Sequence, residues 1–184
     1  MFQPPKLIVI FLIITLAFVA ASAQITQDVT SLANNPKVKN ALKYIKSSEP
    51  KTIEEQIKIT EIPAPTFKEG KRGAYFKQRF TKIGLKNVRV DKVGNVIGER
   101  PGTGGANVPT LVLAAHLDTV FENAEVKVTR NGNIIKGLGI SDDGRGLTLL
   151  LAIAETLEKH KIQTQGNIIF VANVAEEGLG DLIG

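Results

Sequence analysis

Cysteine is absent from the 184 residues. That excludes disulfides, thiolate metal sites, a cysteine nucleophile and lipid attached through sulfur. Long polar tracts, low-complexity blocks and internal repeats are absent too, which with 22% charged residues argues against wholesale disorder. The net charge is a modest +5 and the basic residues are scattered, so nucleic acid is not an expected partner. Several tempting motifs fail. Gly102-Thr103-Gly104-Gly105 lacks the Lys-Ser/Thr of a phosphate loop, and counting from Gly137 puts Asp142 where a dinucleotide fingerprint needs its third glycine. Asp142-Asp143-Gly144 lacks the spacing of a calcium loop, and no Asn-x-Ser/Thr sequon occurs.

Apolar residues concentrate at the start. Lys6 precedes Leu7–Ala21, a run broken only by Thr15 and followed by the small-x-small triplet Ala21-Ser22-Ala23. The run is shorter than the roughly 20 apolar residues of a spanning helix. The expectation is a signal peptide over 1–23, with Gln24 as the mature N-terminus. The product is then secreted or periplasmic, and membrane-anchored if the segment stays uncleaved.

Beyond that segment the pattern reads as alternating helices and strands. Spaced apolar residues give a weak helix over Thr26–Ser48, interrupted at Pro50, and a second over Thr52–Glu61 ending before Pro63. Tyr75, Phe76, Phe80 and Ile83 mark an amphipathic helix over Lys68–Ile83, closed by Gly84. Short β-like runs follow at Val88–Val90 and Asn95–Gly98. Thr110–Ala115 reads as a strand buried on both faces. Val126–Thr129 and Asn133–Ile135 flank a hairpin signal, Arg130-Asn131-Gly132. Leu147–Leu157 reads as a buried helix, and Asn167–Val174 as a second core strand. Such alternation predicts an α/β sandwich with a mixed sheet.

Three clusters adjoin these elements. His116 and Asp118 follow the first core strand, and in extended chain residues two apart face the same side. A carboxylate beside a histidine fixes its tautomer, a common metal-ligand arrangement. Asp142 and Asp143 precede the buried helix. Asp143 has a structural role open to it at the helix N-terminus, whereas Asp142 has a carboxylate free to bridge two cations. Glu176 and Glu177 end the second core strand. A cation there relieves their repulsion, with one glutamate as ligand and the other as general base on metal-bound water. A solvated turn is the plainer alternative for that pair. Strand ends are where open α/β sheets present their sites. His160, at the polar end of the long helix, reads as solvated or facing the helix dipole.

Taken in order, HLDTV (116–120), GISDDGRG (139–146) and AEEG (175–178) resemble the motifs of the peptidase M20 metallohydrolases. These include peptidase T-like aminopeptidases, carboxypeptidases and N-acyl-amino-acid deacylases. Glu61-Ile62-Pro63-Ala64-Pro65 and Gly94-Asn95-Val96 are similar to peptidase T-like members. The resemblance covers about residue 50 to Gly184. It implies a zinc-exopeptidase-like catalytic domain over 24–184: a three-layer α/β sandwich with a mixed, largely parallel sheet, incomplete here. It implies two Zn2+ per complete site, with Co2+ or Mn2+ also acceptable. By resemblance His116 ligates one zinc, Asp118 orients it, Asp142 bridges the metals, Glu176 is the general base and Glu177 ligates the second zinc. Asp143 is a non-ligating neighbour.

The family site also uses a later carboxylate, a late histidine and an inserted lid or dimerisation domain. None occurs in these 184 residues, so the expectation is an N-terminal piece that alone binds metal poorly and hydrolyses nothing. Expected substrates are peptides or N-acyl amino acids, with a homodimer through the absent domain. The membrane is met only through the N-terminal segment. Two other readings are a non-catalytic binding module retaining the fold and a membrane-tethered interaction protein.

Overall fold

The computed structural model describes residues 28–105, 107–122 and 125–184. The expected signal peptide over 1–23 lies outside them. No described helix is long and apolar enough to cross a membrane. Met1–Leu42 and Lys43–Gly184 are separate compact units. In the first, residues 28–34 are helical.

Helix α1 spans Pro36–Thr60 and contains Pro50. The interruption expected at Pro50 does not occur. A proline removes one helical hydrogen bond, here the one to the Lys46 carbonyl, and the helix runs on past it. Nearby hydroxyls bond to other carbonyls of the helix. Ser47 and Ser48 hydroxyls donate to the carbonyls of Tyr44 and Ile45, and Thr52 donates to Ser48. Helix α2 spans Gly70–Ile83 and ends at Gly84, whose left-handed backbone (φ 101°) turns its N–H back to Phe80 and Thr81.

The main sheet contains β1 (Lys86–Val90), β2 (Val96–Arg100), β3 (Thr110–His116) and β6 (Asn167–Asn173), in the order β1-β2-β6-β3. β2 is antiparallel to both of its neighbours and β3 is parallel to β6. So β1, β3 and β6 share one direction and β2 alone opposes them. β4 (Thr129–Asn131) and β5 (Ile134–Lys136) form a separate hairpin, starting later than the sequence pattern suggested. Helix α3 spans Gly144–Lys159.

Phe76 and Phe80 from α2, Leu147, Leu151 and Ala154 from α3, and Val96, Phe170 and Ala172 from the sheet form one core. Phe76 and Phe80 meet edge to face at 5.8 Å. β2 passes close beneath α2 because residue 98 is glycine. A Cβ there would lie 2.8 Å from Leu85 Cδ1 and 3.1 Å from Phe80 Cδ2.

Two sequence expectations need correction. β3 is not buried on both faces: Leu111 is 54% and Val112 55% exposed. Among the described residues β3 has β6 as its one neighbour, and the core covers one face of the sheet. An apolar run expresses β-propensity, and burial on both faces follows only where a second layer covers the strand. Helix α3 is likewise half-buried, with Leu149 and Ile153 open to solvent one turn apart.

The register of β3 against β6 positions the site. Every residue from Thr110↔Asn167 to His116↔Asn173 is paired. His116 therefore ends one strand beside Asn173, three residues before Glu176 on the other.

Candidate metal centre

Beyond Asn173 the chain leaves the ladder, and its buried amides need new acceptors. Side chains supply them in succession. Val174 N–H donates to Asn95 Oδ1 at 2.9 Å and Ala175 N–H to Glu69 Oε1 at 3.1 Å. Glu176 and Glu177 N–H donate to the two oxygens of Asp118, each at 3.0 Å. Asp118 is 0% exposed and also accepts from the Thr66 hydroxyl at 2.9 Å. Its carboxylate is thus the anchor of the glutamate pair. It stands 3.5 Å from His116 Nδ1, whereas the Asp118 backbone carbonyl is nearer to that nitrogen, at 3.1 Å. Of the two Asp118 groups, the backbone carbonyl and not the carboxylate is the nearer partner of His116.

The Asp142–Asp143 peptide bond is cis. Asp143 caps α3, its Oδ1 accepting from Gly146 N–H at 2.9 Å while Oδ2 accepts from His116 N–H at 3.2 Å. Asp142 is exposed and places Oδ1 2.9 Å from His116 Nε2. Ligand atoms of His116, Asp142 and Glu177 lie within 4.8 Å of one another. Glu176 Oε2 is 3.9 Å from His116 Nε2. So His116, Asp142, Glu176 and Glu177 meet at one point, with Asp118 beneath them.

These charges act on one another. Burial lowers the pKa of His116. The Asp142 hydrogen bond and the charges of Asp143, Asp118 and Glu176 outweigh it, and the net shift is upward. Asp143 is raised, first by burial and then by Asp142, against the lowering effect of His116 and of the Gly146 and His116 amides. Glu177 is raised by burial and by Asp142, Glu176 and Asp118, partly offset by His116. An anionic cluster that takes up protons suits a divalent cation. One imidazole and two carboxylates are donors for zinc, cobalt or manganese.

The sequence reading missed the layer beneath. Arg72 is 1% exposed, and its guanidinium donates to the carbonyls of Thr60, Ile62 and Leu117. Burial pulls its pKa down to about 10, opposed by Asp118. Thr119 N–H donates to Ala64 at 2.9 Å, so 60–66 is tied to the loop after β3. Gln56 donates to the Ile140 carbonyl at 2.7 Å and accepts from Arg145 at 3.3 Å. A signal existed for Arg72: it lies four residues before Phe76 and eight before Phe80, a charge on an apolar stripe.

The sequence predicts that His160 is solvated or faces the helix dipole. Its Nε2 is buried with no hydrogen-bond partner among the described residues, and its ring lies 5.3 Å from that of Tyr44. A cavity of about 710 Å3 between α1, α2 and α3 is lined by Tyr44, Lys51, Arg79 and Glu155 among others. It includes none of the clustered site residues.

Residues 95–181 match the model of Peptidase family M28. A LysW-lysine/LysW-ornithine hydrolase of Pyrococcus abyssi, described as such without proof of activity, is 36% identical over 120 residues, 65% of this chain and 32% of the relative. A deformylase of N-formyl-4-amino-5-aminomethyl-2-methylpyrimidine from Halalkalibacterium halodurans is 34% identical over 90 residues, 45% of this chain and 21% of that protein. Among solved structures, aminopeptidase PepT of Bacillus cereus superposes with a TM-score of 0.61 at 25% identity, over 69% of this chain and 36% of that one. The fold is that of a zinc-exopeptidase-like catalytic domain. The chain spans about a third or less of the length of the curated relatives it matches. The motifs resemble those of M20, while the matching family model is that of Peptidase family M28.

Proposed function

We propose that this chain supplies part of the catalytic domain of a metal-dependent hydrolase that cleaves peptide or N-acyl-amino-acid amide bonds, of the M20 type its motifs resemble. The observation that carries the reading is the convergence of His116, Asp142 and Glu177 ligand atoms within 4.8 Å, with Glu176 beside them. The matched relatives include an aminopeptidase, a hydrolase and a deformylase. Hydrolysis is the chemistry their names share, and the aminopeptidase and the deformylase act on amide bonds.

Bound divalent cations, two zinc ions in the complete site, supply Lewis acidity toward a carbonyl and a nucleophile drawn from water. His116, Asp142 and Glu177 would hold them. With Nδ1–H donated to the Asp118 carbonyl, Nε2 presents its lone pair to the site. In the metal-free chain a proton on Nε2 faces Asp142 instead, in keeping with the raised pKa. Glu176 is half-buried and held through its own N–H by Asp118. We assign it as general base, accepting a proton and returning it to the leaving amine.

We further propose export directed by 1–23, with contact to the membrane only there, and a homodimer in the complete protein. The 184 residues alone offer His116, Asp142 and Glu177 as one three-ligand group, so they bind a cation weakly and hydrolyse nothing. The test is hydrolysis of a peptide and N-acyl-amino-acid panel by the complete protein with Zn2+. Glu176→Gln is expected to lower kcat by a factor of about 100 or more, with zinc content unchanged. A complete, zinc-loaded protein that cleaves no member would favour the binding-module reading. Activity insensitive to Glu176→Gln would remove the assignment of the base.

A further inference from the structure

We propose that Glu69 is a positioning residue that sets the aim of Glu176 and Glu177 through the backbone of Ala175. The proposal rests on the reading of those two glutamates as base and ligand.

Glu69 is buried, and a buried carboxylate is costly unless it is hydrogen-bonded. No basic side chain pairs with it among the described residues. It occupies the N-cap position of α2, where an acidic side chain ordinarily accepts from the helix's own first amides, yet it makes no such bond. Its Oε1 turns away from the helix. It accepts from Phe67 N–H at 3.0 Å and from Ala175 N–H at 3.1 Å, the latter 106 positions away in sequence.

Both partners have left-handed backbones, with φ of 67° at Phe67 and 51° at Ala175. A residue with a Cβ resists that conformation, and it persists where the surroundings over-determine it. One oxygen therefore holds two unfavourable turns. The turn at Ala175 lies directly before Glu176, so relaxing it redirects both glutamate side chains. Asn95 holds the amide before Ala175 and Asp118 holds the two after it. Among the described residues, Glu69 is the anchor of the amide whose own residue is strained.

What matters is an acceptor oxygen at the right reach, not the charge. Glu69→Gln keeps that oxygen. Glu69→Asp keeps the charge and withdraws it by one methylene. Glu69→Ala removes it. The first readout is amide hydrogen exchange of the metal-free 184-residue chain. Glu69→Ala and Glu69→Asp are expected to speed exchange at Ala175, Glu176 and Glu177 by about tenfold. Glu69→Gln should stay near wild type, and exchange at Phe170 in β6 should not move. If Glu69→Ala fails to fold, the contrast between Asp and Gln decides. Unchanged exchange in Glu69→Asp, or rescue by Asp and not by Gln, would overturn the proposal.

The second readout is Co2+ affinity of the same chain, expected to fall about tenfold in Glu69→Asp and to be restored in Glu69→Gln, as for other residues that support metal ligands. Opened amides with unchanged Co2+ affinity would also overturn it. Co2+ binding indifferent to Glu177→Gln would instead defeat the functional reading, and the exchange contrast would still decide what Glu69 holds.

Discussion

His116 is pulled in two directions. Burial favours its neutral form, while Asp142, Asp143, Asp118 and Glu176 favour the charged one, and the acids prevail. A folded-state pKa above the ordinary histidine value of about 6.5 fixes the sign of its linkage to stability. The stabilisation is fully present below about pH 6.5 and is lost as pH rises through the folded value. Without metal, the stability difference between wild type and His116→Asn should therefore shrink across the neutral range. Urea unfolding with chelator at several pH values measures it, and a constant difference would contradict the placement of the acids. A divalent cation should restore stability at the high-pH end by taking the proton's place.

At the scale of elements, the end of β3, the start of α3 and the end of β6 are joined through two carboxylates. Asp118 binds the β6 end, and Asp143 binds both α3 and His116. Gly146→Ala tests the second link. In a helix this change ordinarily stabilises by roughly 1 kcal/mol. Here the new Cβ would lie 2.1 Å from Asp143 Oδ1 and expel the cap. The expected result is destabilisation of about 1–2 kcal/mol, with little added by Asp143→Ala in the double variant. Stabilisation on urea unfolding would show that the cap is dispensable. Much of this level was legible beforehand. Helix α2 followed its aromatic spacing to Gly84, and the three acidic clusters fell beside β3, α3 and β6 as their apolar runs suggested. Pro50 misled because one lost backbone bond need not end a helix whose other turns still close. Glu69 and Arg72 were missed for another reason. Arg72 showed only as a charge on an aromatic stripe, which does not name its carbonyl acceptors, and no local spacing encodes a contact between Glu69 and Ala175.

At the scale of the molecule, β3 and β6 run in register, so the fold alone carries His116 to the glutamates. The exposure of Leu111 and Val112 on β3 among the described residues was not legible. An apolar run predicts a strand, whereas burial depends on which layers cover it. The central claim is that the His116, Asp142 and Glu177 side chains converge to hold a cation. Calorimetric titration of Zn2+ into the 184-residue chain tests it most directly, comparing wild type with His116→Asn, Asp142→Asn and Glu177→Gln. The account predicts weak wild-type binding at one site, reduced about tenfold or more by each variant, with protons released on binding. Zinc binding that is unchanged in all three variants, or no binding at millimolar zinc, would contradict it.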